Sequence, residues 1–277
     1  MPGASWWRFA TLTAVIAWLY FSVLLRLAQQ WWHDPNFSHG FLVPLFSLYV
    51  VWRNRARIAR ESPDPTWWGL PIVFLAIFLL LAGTMGSELF LARSSLLILI
   101  VGLVVLFRGW RYFRVVLFPW LFLFLMIPIP EIIFNQITFP LQILASKIAA
   151  GLLPLAGVPV FREGNIIRLP TMPLEVAEAC SGIRSLLSLT TIAIIYGYFQ
   201  ETSNWRRMVL AVASIPIAIL ANSFRIFGTG LLVQYWSPEV AEGFFHSLSG
   251  MFIFLFSLAL LVGFHRILCL PDRRVPA

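Results

Sequence analysis

Three short polar stretches interrupt an otherwise apolar chain of 277 residues. The first, Leu174–Leu186, gathers Glu175, Glu178, Cys180, Ser181, Gly182, Arg184 and Ser185 just before a long apolar run. The second is Asn222–Arg225 and the third His246–Gly250. A thiol attacks only as thiolate, and apolar surroundings raise its pKa, so Cys180 needs an offsetting group. Its place at the start of a helix supplies one, because the helix dipole favours an anion there. His246 is the candidate general base, able to return the proton to a leaving amine. Arg225 keeps its charge and suits a developing oxyanion or a substrate carboxylate. Asn222, one turn earlier, is placed to orient Arg225. Gly182 and Gly250 would let a substrate backbone come close. Glu175, Glu178, Arg184 and His39 are candidates for holding the substrate.

Each residue taken alone has a plainer reading. A single cysteine in a membrane helix is ordinarily filler, and Arg225 near a helix end can snorkel to headgroups. A lone histidine such as His246 is commonly an interface residue or a helix–helix hydrogen bonder. Glu175 and Glu178 read equally well as solvated carboxylates. Ser38-His39-Gly40 reads as a cap on a second span that borders the site. Cys269 sits beside a basic tail and reads as structural. It is the joint pattern of thiol, guanidinium and imidazole that argues for chemistry.

The elements that must position these groups follow from composition. The chain is 60% hydrophobic and 12% charged, with mean hydropathy +0.85. A soluble globule of this size would lack the charge to cover its surface. The net charge of +8 does not indicate nucleic acid, because the arginines fall in short clusters between apolar runs. Two cysteines allow at most one disulfide, and the four histidines are scattered without metal-ligand spacing, so no metal and no cofactor are expected.

Eight apolar runs predict about eight transmembrane helices: 9–27, 38–52, 67–82, 94–107, 115–127, 183–199, 208–224 and 244–267. The first reads as a retained helix, with no small-residue cleavage site after it. The stretch 131–153 carries Asn135, Gln136, Gln142, Ser146 and Lys147 among apolar residues, and reads as an interfacial helix or one packed in the bundle. Val158–Pro170 alternates β-branched residues about Glu163-Gly164-Asn165, the signal of a β-hairpin. No repeat or linker divides the chain, which reads as one integral-membrane domain, 1–277.

The basic clusters orient it. With the N-terminus inside, the inner segments hold Arg8, Arg53–Arg60, Arg108–Arg114, Arg206-Arg207, Arg266 and Arg273-Arg274 against Glu61, Asp64, Glu201 and Asp272. That bias predicts an N-in, C-in topology with the hairpin on the outer, periplasmic face. Arg207 to Arg225 and His246 to His265 each correspond to about 27–28 Å of helix, and Cys180 lies about 30 Å above Gln200. The hydrocarbon core is about 30 Å thick. The three polar stretches are therefore expected at one depth, the outer face.

The ordered motifs carry a resemblance. Asn36-Phe37-Ser38-His39-Gly40-Phe41-Leu42-Val43-Pro44 with the Trp52-Arg53-Asn54-Arg55 run, then Ala179-Cys180-Ser181-Gly182-Ile183-Arg184-Ser185, Asn222-Ser223-Phe224-Arg225 and His246-Ser247-Leu248-Ser249-Gly250 resemble the exosortases, over essentially the whole chain. The family's Cys, Arg and His map onto Cys180, Arg225 and His246. Archaeal relatives use a second Arg in place of that His, so the likeness is to the bacterial side. It implies a cysteine transpeptidase of the bacterial cytoplasmic membrane, forming a thioester at the periplasmic face. The implied partners are exported proteins ending in a Pro-Glu-Pro-like motif, an apolar helix and a basic tail, besides membrane lipid. The type most resembled is linked to exopolysaccharide production. Some relatives of that type carry an extra soluble C-terminal domain; the present chain is expected to lack one, which leaves a separate accessory protein open. Two rivals are a membrane protease that simply hydrolyses, with Ser181 as nucleophile, and a non-catalytic subunit or transporter of a polysaccharide machine.

Overall fold

The computed structural model describes residues 3–176, 182–236 and 244–270. The chain folds as two compact units, Met1–Pro130 and Glu131–Ala277. Every apolar run read from the sequence is a helix.

The first unit holds α1 (Gly3–His33), α2 (Leu42–Arg53), the short α3 (Arg55–Arg60), α4 (Gly69–Met85), α5 (Leu89–Arg108) and α6 (Trp110–Phe122). Small residues let α4 and α5 pack backbone to backbone, the usual device where lipid removes the hydrophobic drive between helices. A Cβ on Gly102 would lie 2.8 Å from the backbone nitrogen of Val73, and one on Gly83 would lie 2.5 Å from that of Ala92. Glu88 caps α5, its carboxylate accepting from the Phe90 N–H at 3.2 Å. Tyr20 on α1 reaches Ser95 on α5 at 3.0 Å, closing a core of Tyr20, Val23, Ala76, Leu80, Ala92 and Leu99. The outward face of α4 is as apolar as its inward one: Phe74, Phe78 and Leu81 are exposed.

In the second unit α7 (Glu131–Leu152) carries a three-stranded antiparallel sheet of β1 (Phe161–Glu163), β2 (Ile166–Arg168) and β3 (Pro173–Glu175). The expected hairpin is β1–β2, with Glu163 opposite Ile166 and a two-residue Gly164-Asn165 turn. Gly164 has φ +62°, the left-handed value a turn of this kind asks of its first central residue. The sequence pattern ends there; β3 adds a third strand, with Ile167 opposite Leu174. Pro170 and the polar Thr171 hid it, because a three-residue strand carries too little alternation to show. Ile167 is fully buried and packs with Ala145 and Ala149 of α7 and with Ile226 and Val233 of α9 (Asn204–Tyr235).

Two more long helices complete this unit beside α9: α8 (Ile183–Gln200) and α10 (Phe244–Leu268). The three pack through Leu189 and Ala193, Leu210 and Ala218, and Leu261. Thr190 and Ser214 hydrogen-bond across α8 and α9 at 2.9 Å.

Three details depart from the sequence reading. By length and hydropathy five helices among the described residues can cross a membrane, not eight: Ala10–His33, Leu89–Arg108, Glu131–Ala156, Asn204–Tyr235 and Gly250–Leu268. Four of the eight runs are not among them. The helices of the 38–52, 67–82 and 115–127 runs are too short, at 12, 17 and 13 residues, and α8, of the 183–199 run, is long enough at 18 residues but less apolar. α7, read as interfacial or packed in the bundle, is one of the five and packs in its unit through one face, while Asn135, Gln136 and Lys147 stay exposed. Thr138, Gln142 and Ser146 are buried, and the Ser146 hydroxyl donates to the Ile143 and Gly164 carbonyls. Finally, α9 does not stop at Phe224. No residue just after Arg225 breaks the helix, so it runs eleven residues further, to Tyr235, and Arg225 sits inside it.

Candidate active site

The chain approaches Cys180 from a fixed point and leaves it through another. On the near side, Val176 is buried in the α7–α9 core; its N–H donates to the Asn165 carbonyl at 2.9 Å, and its own carbonyl accepts from Asn165 Nδ2 at 3.2 Å. On the far side, Gly182 begins α8 with φ +80°, and its carbonyl accepts from the Leu186 N–H at 2.9 Å. Glu178, Cys180 and Ser181 lie outside the described residues.

Gly182 is seated directly on Asn222. A Cβ placed there would stand 2.8 Å from both Cβ and Cγ of Asn222 and 3.0 Å from its Nδ2. Asn222 itself is 1% exposed. Only glycine satisfies both the left-handed backbone and this contact. The first two polar stretches therefore touch, through their glycine and asparagine. Arg225 is one turn further along α9 and half-buried. It lines a cavity of about 630 Å³ between α9 and α10, whose other walls are mainly apolar, among them Phe224, Leu232, Phe252 and Ile253.

His246 lies in the first turn of α10. Its height follows from the other end of the bundle, where Glu201 ties the helices together. Arg207 of α9 donates to the Glu201 carbonyl from Nε at 2.9 Å, and His265 of α10 bonds the Glu201 carboxylate at 2.8 Å. From that level Arg225 is about 27 Å up α9 and His246 about 28 Å up α10, at about 1.5 Å per residue. Gly250 follows on α10, where a Cβ would meet no described atom within 4 Å. Glu175 is exposed at the end of β3, and Arg184 is exposed on the first turn of α8.

His39 belongs to the first unit and is buried there. It sits in the 3-10 turn Ser38–Phe41 that leads into α2, but no side chain of that turn caps the helix, whose N-cap is Phe41. Its Nε2 donates to the Leu125 carbonyl at 3.2 Å, and beside it Trp31 Nε1 donates to the Met126 carbonyl at 2.9 Å. Burial pushes the His39 pKa down; the Leu125 carbonyl opposes this only in part.

A second cluster escaped the linear reading. Glu201, His265 and Cys269 converge at the opposite end of α8 from Gly182, with their ligand-type atoms within 4.8 Å of one another. His265 and Cys269 are four residues apart on one helical face, a spacing visible in the sequence; Glu201 is 64 positions away. Burial alone would raise the Glu201 carboxyl, but hydrogen bonds from His265 and Cys269, with Arg206 close by, hold it below its ordinary value.

A family model described as transmembrane exosortase (Exosortase_EpsH) matches residues 31–263, most of the chain and all three polar stretches. The chain belongs to the transmembrane exosortase family. It is a multi-pass membrane protein of that family, with five helices among the described residues long and apolar enough to cross a bilayer. No curated protein and no solved structure matches it. Within this exosortase fold the arrangement places a permanent cation at the rim of an apolar cavity.

Proposed function

We propose that this exosortase is a cysteine transpeptidase of the bacterial cytoplasmic membrane. It cuts exported proteins near a C-terminal Pro-Glu-Pro-like sorting motif at the periplasmic face. Cys180 attacks the scissile carbonyl and forms a thioester, His246 carries the proton to the leaving amine, and Arg225 stabilises the oxyanion. The N-in, C-in topology and the link to exopolysaccharide production belong to the same proposal.

The contact between Gly182 and Asn222 carries the reading. Two peptide units separate Cys180 from Gly182, a reach of about 7 Å at most. Arg225 is a single turn from Asn222, about 4.5 Å along the helix axis. The thiol's tether and the guanidinium's helix thus meet at one point, and the helical rise brings His246 to a similar level. The cavity beside Arg225 suits an apolar signal helix lying along α9 and α10.

Co-expression of a tagged substrate with the wild type and with Cys180→Ala, Arg225→Ala and His246→Ala tests this. Wild type should yield processed substrate and a hydroxylamine-sensitive thioester, and Cys180→Ala neither. Normal processing by Cys180→Ala alongside failure of Ser181→Ala would move the nucleophile to Ser181. Normal processing by all of these variants would leave a non-catalytic role in a polysaccharide assembly machine.

A further inference from the structure

We propose that Glu201, His265 and Cys269 form a binding site for a zinc-class divalent cation, at the end of the α8–α9–α10 bundle remote from Gly182. This is independent of the peptidase chemistry proposed above and uses none of its residues.

The three side chains form a small triangle. His265 Nε2 lies 2.8 Å from Glu201 Oε1, Cys269 Sγ lies 3.2 Å from the same oxygen, and Sγ lies 3.3 Å from Nε2. Glu201 and His265 are nearly buried, at 6% and 8% exposure. As hydrogen bonds, two of these contacts are ordinary and the third is left over. Nε2–H and Sγ–H supply two protons, and both are drawn to one carboxylate oxygen; the third edge then joins two atoms with no proton between them. A cation at the centre makes a ligand of each corner. Tetrahedral zinc, with bonds of about 2.0–2.3 Å, holds neighbouring ligands roughly 3.3–3.6 Å apart. Each atom needs to retreat by only a few tenths of an ångström.

The surroundings are those of a metal site. Tyr196 bonds His265 Nδ1 at 2.8 Å, which turns Nε2 toward the cluster and fixes the ring. Arg207 holds the Glu201 carbonyl through Nε at 2.9 Å and Nη2 at 2.6 Å, and Arg206 stands 3.7 Å from Glu201 Oε2. Those contacts leave Oε1 facing the triangle. On binding, the thiol releases its proton to solvent as the metal–sulfur bond forms. One thiolate and one carboxylate then balance the two charges of the ion. Thiolate, imidazole and carboxylate together select zinc over magnesium or calcium. The ion would clamp the α8–α9 turn to the end of α10, these being the three ligands among the described residues.

The chain has two cysteines, so a Cys180→Ala background makes Cys269 the sole thiol. The full-length protein in detergent is stripped with chelator and titrated with zinc chloride and, separately, cobalt chloride. Expected are stoichiometric zinc and a thiolate-to-cobalt charge-transfer band. Cys269→Ser should abolish the band, and His265→Gln should weaken zinc binding at least tenfold. Tyr196→Phe, which removes only the support of the imidazole, should weaken it about 10- to 100-fold. If a ligand variant fails to fold, X-ray absorption of the zinc-loaded parent decides, by one sulfur among nitrogen and oxygen ligands. The proposal is overturned if zinc does not bind, or binds unchanged in these variants, or shows no sulfur in its shell.

Discussion

Replacing Gly182 with alanine is the sharpest test of how the site is held. The alanine meets two separate penalties. Holding a non-glycine residue at φ +80° costs about 1–2 kcal/mol. Its methyl would also stand 2.8 Å from Cβ and Cγ of Asn222, an overpacking worth about 1–3 kcal/mol. The total of about 2–5 kcal/mol is large against the stability of most folds. It falls on the joint between the Cys180 segment and α8. Processing of a tagged substrate should drop by tenfold or more, since about 1.4 kcal/mol of misplacement already costs that much. The midpoint of thermal unfolding in detergent should fall as well.

The second arm separates the two penalties. Asn222→Gly removes the atoms that the methyl strikes but leaves the backbone strain. The double variant should therefore be more stable than the sum of the single changes predicts, by about 1–3 kcal/mol. Strict additivity, within about 0.5 kcal/mol, would mean that Gly182 and Asn222 do not touch. A Gly182→Ala protein that folds and processes like wild type would remove the physical basis for the site.

Two further outcomes follow from the fold. His39 is held neutral by burial, so its folded pKa lies below the unfolded value of about 6.5. The unfolded chain then binds the proton more readily; stability is fully present above that value and falls as pH drops from it toward the depressed folded value. Melting curves of the detergent-solubilised protein between about pH 5 and 8 should show this slope, and His39→Gln should flatten it; an unchanged slope would show that another group titrates. Ile167→Ala opens a cavity where β2 meets α7 and α9, and should cost about 2–5 kcal/mol in unfolding free energy. Because β3 pairs with β2 and leads to Val176, processing should fall with it; intact processing would mean that the sheet does not position the Cys180 segment.

Much of the framework could be read from the residues alone. Each apolar run is a helix because a long stretch of apolar residues without a breaker has no better way to satisfy its backbone in lipid. The hairpin was legible because Glu163-Gly164-Asn165 between β-branched residues leaves few alternatives. Family membership was legible because four motifs keep their order. Depth was not. A run's apolar length does not fix where its helix ends, as α9 running on to Tyr235 shows. Where outward residues such as Phe74 and Phe78 of α4 are as apolar as the buried ones, hydropathy does not say which way a helix such as α7 turns Gln142 and Ser146.

What the tertiary structure alone decided is which polar groups meet. Nothing in the spacing of Gly182 and Asn222 announces that one lies against the other; that follows from the antiparallel packing of α8 and α9. Glu201 reaches His265 and Cys269 because a three-residue turn folds the start of α9 back beside the end of α10. Composition sets the solvent a chain can live in and the elements it can form, since both are properties of short stretches. A site is a property of distances between stretches far apart in the chain, and those distances exist only once the helices have packed.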